Sequence, residues 1–244
     1  MSSTSSADSG KYRRNTKKHT SIQVVDKKAE TRHIFKVKYY NDKIHTTVTH
    51  TESAVEKWID DVYKSFVDRL GNLVVGLDIE QVQNNKVDVL QLCVGHKCLI
   101  FQFFGCDKDQ VPASLVHFLN DHDIKFVGAG IDRVAEKLLV DYGMSISSKS
   151  EDLGRLADNK LGTRGLYHAK LNSLVNIVLG EHLHHEPKYT RITFSRWDRD
   201  YLKNEQVEHA CLDAYASFKL GLYLSLLPSP KETNKAKAIC PGAI

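Results

Sequence analysis

Leu73-Val74-Val75-Gly76-Leu77-Asp78-Ile79-Glu80 is the stretch on which the reading of this chain turns. A short apolar run rich in β-branched residues, entered through Gly71-Asn72, predicts a buried strand. Side chains alternate along a strand, so Asp78 and Glu80 share one face while Leu77 and Ile79 point into the core. Two carboxylates on one face of a core strand are costly to bury unless positive charge sits between them. A divalent metal fits that need, because Mg²⁺ takes oxygen ligands from one or two carboxylates plus substrate phosphates. For Asp-x-Glu alone, an edge strand that ends in solvent is an equally good reading.

Upstream of this strand, His33–Tyr40 and Ile44–Thr49, split by Asn41-Asp42-Lys43, predict a hairpin. Val55, Trp58, Ile59, Val62, Phe66 and Leu70 then recur at helical spacing over residues 52–70. Downstream, Val87–Val94 and Lys97–Phe104 form a second hairpin about Gly95-His96, and a helix starts at Pro112. Lys125–Gly128 predicts a strand feeding a helix that continues through Val140. Its Gly128-x-Gly130 falls short of a dinucleotide-binding fingerprint, because Arg133 stands where a third glycine is required. Segments 151–158 and 170–179 read as helices, and 188–203 as a locally basic loop. His182, His184 and His185 lack a partner Cys or acid at ligand spacing and read as a solvated turn. A last helix runs from about Asn204 to Leu226 and stops at Pro228. On it His209 and Asp213 lie four apart, one above the other.

This order of elements predicts an α/β class, a mixed antiparallel and parallel sheet with helices packed on it. The composition, 41% hydrophobic and 26% charged, is that of an ordinary globular protein, and no apolar run approaches the roughly 20 residues of a membrane helix. The Ser-rich start lacks the apolar core of a secretory signal, and five cysteines, an odd number, read as reduced residues of an intracellular protein. Residues 1–31 hold seven Lys/Arg against three Asp/Glu, which accounts for the whole net charge of +4 and predicts a disordered basic arm. Residues 32–227 are then the folded body and 228–244 a flexible tail.

Three stretches carry a family resemblance: Gly76-Leu77-Asp78-Ile79-Glu80, Phe126-Val127-Gly128-Ala129-Gly130-Ile131, and His209-Ala210-Cys211-Leu212-Asp213-Ala214-Tyr215-Ala216. Together they resemble the three motifs of the ribonuclease H-like, four-acid (DEDD) 3′–5′ exonucleases, in particular the Werner-syndrome-type exonuclease domain and its small plant relatives. The resemblance covers roughly residues 33–227. It implies the ribonuclease H-like exonuclease fold and hydrolysis of terminal phosphodiesters by two Mg²⁺ or Mn²⁺ ions about 3.5–4 Å apart. By the same resemblance Asp78, Glu80 and Asp213 are metal ligands, and His209 takes the water-orienting position that is Tyr in this branch. An imidazole can accept a proton near neutral pH.

One position departs further. The fourth acid of the family falls on Val134, and an apolar side chain holds no metal. Asp132 and Glu136, two residues away, project to nearly opposite sides of a helix, so a substitute carboxylate would have to come from elsewhere, such as Asp152 or Asp158. Two functions follow. One is a working but slow exonuclease on single-stranded RNA or DNA ends. The other is a pseudo-exonuclease that keeps the fold to bind nucleic acid or a protein. Single-strand binding uses stacking aromatics and phosphate-neutralising bases, for which Arg164, Tyr167, Lys170 and the 188–203 stretch are the candidates. The plant relatives imply a homo-oligomer, a small-RNA silencing or DNA-repair partner, and residence in nucleus or cytoplasm. The 33–49 hairpin is expected to extend the sheet or to offer an oligomer edge.

Overall fold

The computed structural model describes residues 19–29, 32–69, 72–83, 85–183 and 188–228. In chain order the strands are β1 (Thr20–Ala29), β2 (Arg32–Tyr39), β3 (Asp42–Thr49), β4 (Leu73–Glu80), β5 (Val89–Val94), β6 (Lys97–Gln102), β7 (Ile124–Gly128) and β8 (Glu151–Asp152). The helices are α1 (Glu52–Ser65), α2 (Ala113–Leu119), α3 (Ile131–Tyr142), α4 (Leu153–Leu161), α5 (Leu171–Leu179), α6 (Lys188–Thr193) and α7 (Asn204–Leu226). Among the described residues the strands form one sheet in the order β1-β2-β3-β6-β5-β4-β7-β8. β3 runs parallel to β6, and β7 runs parallel to both β4 and β8; the other neighbours are antiparallel. This is the mixed sheet flanked by helices that the element order predicts.

Helices cover both faces. α1, α2 and α3 bury Val55, Trp58, Leu115, Phe118 and Leu138 against Leu73, Val75 and Leu77 of β4. α4, α5 and α7 pack on the opposite face with Val74. Gly76 belongs to that second face, and α7 lies directly on it: a Cβ at Gly76 would fall 2.1 Å from the Ala214 carbonyl oxygen and 2.3 Å from the Phe218 nitrogen. Only a residue without a side chain admits a helix backbone this close to a strand. By the same two-residue alternation, Asp78 and Glu80 point toward α7.

A layer of thiols sits in the same interface. Cys93 and Cys98 are cross-strand partners on β5 and β6, Cys211 comes from α7, and Thr46 Oγ1 donates to Cys211 Sγ at 3.0 Å. All three cysteines are buried and unpaired by disulfides. One turn further along α7, the Tyr215 hydroxyl donates to Asp42 Oδ2 at 2.7 Å, tying the β2–β3 turn to the helix.

Four details differ from expectation. Of the arm expected over residues 1–31, residues 1–18, 30 and 31 lie outside the described residues, while Thr20–Ala29 form a strand paired antiparallel with β2. Ile22 and Val24 alternate with exposed Ser21, Gln23 and Val25 and pack on the core, a two-residue period hidden in a polar composition. The β2–β3 hairpin therefore lies inside the sheet, between β1 and β6, and is not its edge. α1 stops at Ser65 instead of reaching 70, because Phe66 leaves the helix to lay its ring on the Gly95 turn, where a Cβ would meet Phe66 Cζ at 2.9 Å. Within the segment read as the loop 188–203, residues 188–193 form the short α6. No described helix is long and apolar enough to cross a membrane.

Candidate active site

α7 brings His209 and Asp213 under the end of β4. His209 Nε2 lies 3.0 Å from Glu80 Oε1 and 3.4 Å from Asp213 Oδ2. Donor atoms of Glu80, His209 and Asp213 all fall within 4.8 Å of one another, and each residue is at most 8% exposed. Asp78 stands beside them, partly exposed, with Oδ1 accepting the Ile79 amide at 2.8 Å. Burial, then the charges of Asp213 and Glu80, push the Asp78 carboxyl well above the usual range. Burial, then Asp213, does the same to Glu80. Asp78 and Glu80, their carboxyls raised by burial and by the charge of Asp213, with an imidazole among them, form a site that a cation stabilises. The Trp197 ring is a tilted neighbour of His209, centroids 6.0 Å apart and planes at 35°.

Asp78 opens onto a cleft of about 630 Å³ whose walls include Gly130, Arg133, Asp152, Tyr167 and Lys170. Two of the sequence candidates for strand binding, Tyr167 and Lys170, thus share a cavity with Asp78. Tyr167 is 44% exposed, and its ring covers the Arg155 guanidinium. Arg164 is exposed and is not among the residues lining this cleft. The loop that carries Tyr167 reaches its place because Gly154 has no side chain: a Cβ there would meet the Leu166 oxygen at 2.5 Å.

Val134, in the first turns of α3, is 7% exposed. It lines a neighbouring recess of about 370 Å³ with Asp78, Gly130, Arg133 and Lys137. Among the described residues, the substitute acids for this position are turned to solvent or engaged by other groups. Asp132 is paired with Arg155, and Glu136 is exposed. Asp152 lines the cleft, but Oδ2 accepts the Gly130 amide at 2.6 Å and Oδ1 the Arg155 amide at 3.0 Å, which caps α4. Asp158 accepts the amides of Leu166 and Gly165.

The structure also brings to the site residues that held no individual role there by sequence. Arg133 lies over Gly130, whose φ of 71° is left-handed, and a Cβ on Gly130 would come 2.9 Å from Arg133 Nη2. Arg133, Lys137 and Trp197 adjoin the acids only in space, and no periodicity marks them. Of the histidine cluster, His182 sits 3.4 Å from the Asn176 amide nitrogen, while His184 and His185 lie outside the described residues.

Comparison with known proteins gives this geometry a context. A family model described as 3′–5′ exonuclease matches residues 45–228. A 3′–5′ exonuclease of Arabidopsis thaliana is 36% identical over 66% of this chain and 56% of its own length. The mouse bifunctional 3′–5′ exonuclease/ATP-dependent helicase WRN is 34% identical over 61% of this chain and 11% of its own length. The chain thus matches little more than half of the plant relative and a small part of the helicase. Among solved structures, Escherichia coli RNase D shares the fold with a TM-score of 0.58 and 19% identity over 73% of this chain and 44% of that one. NrnC of Brucella melitensis does so with a TM-score of 0.54 and 17% identity over 70% and 80%. With a ribonuclease H-like mixed sheet, acids closing on one helix and a matching domain model over most of its length, the chain belongs to the 3′–5′ exonuclease family.

Proposed function

We propose that this protein is a slow, metal-dependent 3′–5′ exonuclease acting on the ends of single-stranded nucleic acid. The observation that carries the reading is the convergence of Glu80, His209 and Asp213 at the end of a strand whose Asp78 faces an open cleft. Buried carboxylates that repel one another suit a hard divalent cation, Mg²⁺ or Mn²⁺. Asp78, Glu80 and Asp213 are the ligands we assign. Bound there, the cation supplies Lewis acidity and neutralises charge on the phosphodiester. His209 Nε2 holds or releases a proton beside the reacting phosphate, and Trp197 fixes the plane of the ring. Tyr167 offers a face for the terminal base, while Lys170 and Arg133 offset phosphate charge. With Val134 in place of an acid, a second cation lacks a ligand, and turnover is slow for that reason.

The buried Val134 also favours a second reading, a chain that retains the fold for binding and has lost turnover. One experiment separates the two: decay of 5′-labelled single-stranded RNA and DNA with Mn²⁺ or Mg²⁺, beside Asp78→Ala and Val134→Asp. Stepwise shortening that Asp78→Ala abolishes supports the enzyme. Shortening seen in Val134→Asp alone refutes it in favour of the binding module.

A further inference from the structure

Outside the Asp78 cleft, a second cavity of about 590 Å³ opens where the segment after α6 meets the first turn of α7. Its wall carries Arg191, Arg196, Arg199 and Lys203 against one carboxylate, Glu205. Arg196 is held by Asp198 through hydrogen bonds of 2.8 and 2.6 Å, so Arg191, Arg199 and Lys203 carry the rest of the wall's positive charge. On the same wall stands Phe194, 74% exposed. A phenyl ring left largely in water adds little to the core, and among guanidinium groups it has the make-up of a single-strand site. Bases stack on the aromatic face while cations neutralise the phosphates.

The wall is built on rigid supports. Gln206, 4% exposed, donates through Nε2 to Ser195 Oγ at 3.0 Å and to the Arg196 oxygen at 3.1 Å. Gln102, 3% exposed, donates to the Arg199 oxygen at 2.9 Å. The inner side of this segment presents Trp197 to His209. Gln206 and Asp213 are seven residues apart on α7, about 10 Å along the helix axis. A strand of a few nucleotides spans that distance.

We infer that this cavity is a second nucleic-acid site, which grips a single strand away from its cleaved end through Phe194, Arg191, Arg199 and Lys203. The inference rests on the nucleic-acid substrate proposed above, but not on turnover. The test is fluorescence anisotropy of 5′-labelled oligo(U) and oligo(dT) in EDTA, where binding is read without cleavage. Phe194→Ala is expected to weaken binding about ten-fold, the loss of one stacked base, and Phe194→Trp to retain it. Arg199→Glu combined with Lys203→Glu is expected to lower the salt dependence by about 1.4, since each phosphate contact on a single strand contributes about 0.7. Binding that these variants leave unchanged, with melting curves showing them folded, overturns the inference. If Lys170→Glu still weakens that binding, the substrate reading survives and the cavity passes to a protein partner. A wild-type chain that binds neither strand overturns both.

Discussion

Each acid at the end of β4 has a distinct energetic position. Burial and neighbouring carboxylates push the carboxyls of Asp78 and Glu80 well above their usual range, so ionising them in the folded chain opposes folding. Asp78→Asn is therefore expected to raise the melting temperature, by a stabilisation of about 1 kcal/mol, while removing activity. A fall in melting temperature would sink this account of the site. Saturating Mn²⁺ should stabilise the wild type by about 2.7 kcal/mol at a hundred-fold excess over its Kd, and Asp213→Asn much less; thermal melts with and without metal measure the difference. At this scale the sequence was partly legible. A two-residue period put Asp78 and Glu80 on one face, and a four-residue spacing aligned His209 with Asp213. Nothing local says that residues about 130 positions apart meet, and only the family resemblance joined them. The loss at Val134 was visible in the chain. The commitment of Asp152 to two backbone amides was not, because it depends on where Gly130 and Arg155 point.

Among the elements, α7 decides the geometry of the site, and Gly76 decides where α7 lies. Gly76→Ala forces the helix off the strand and is expected to cost at least about 3 kcal/mol, with loss of Mn²⁺-dependent stabilisation. Denaturant titration checks the first and metal melts the second; a variant of native stability would show that the helix already stands clear. The Asp42 clamp gives a pH dependence of known sign. Burial alone would raise this carboxyl, but hydrogen bonds from Tyr215 and His96 and the charge of Lys219 hold it below its usual range. The unfolded chain takes up the proton first, so the clamp contributes at neutral pH and fades as the pH falls below about 4. Asp42→Asn should flatten the acid limb of stability, which acid titration by circular dichroism would register. Helix positions were legible from apolar spacing. Their ends were less so, since Phe66 obeys the helical period yet is drawn to a turn thirty residues away in sequence.

For the molecule as a whole, β1 matters most. It covers the outer edge of β2, whose other edge is paired with β3, and strands exposed along one edge invite pairing with other chains. Removing residues 1–29 is expected to yield self-associating protein by size-exclusion chromatography with the folded core retained; a monomer of unchanged stability would contradict it. Composition concealed this strand, because a basic, Ser-rich terminus reads as solvated whether or not two apolar residues inside it alternate. The thiol layer between the sheet and α7 has a last consequence. Burial keeps Cys93, Cys98 and Cys211 protonated and out of reach of solvent, whereas Cys106 is partly exposed. Among the described cysteines, a thiol-reactive dye should therefore reach Cys106 first, and those three only when α7 lifts from the strands. Labelling kinetics would act as a clock for the opening of the interface that assembles the acids, and bound Mn²⁺ should slow it.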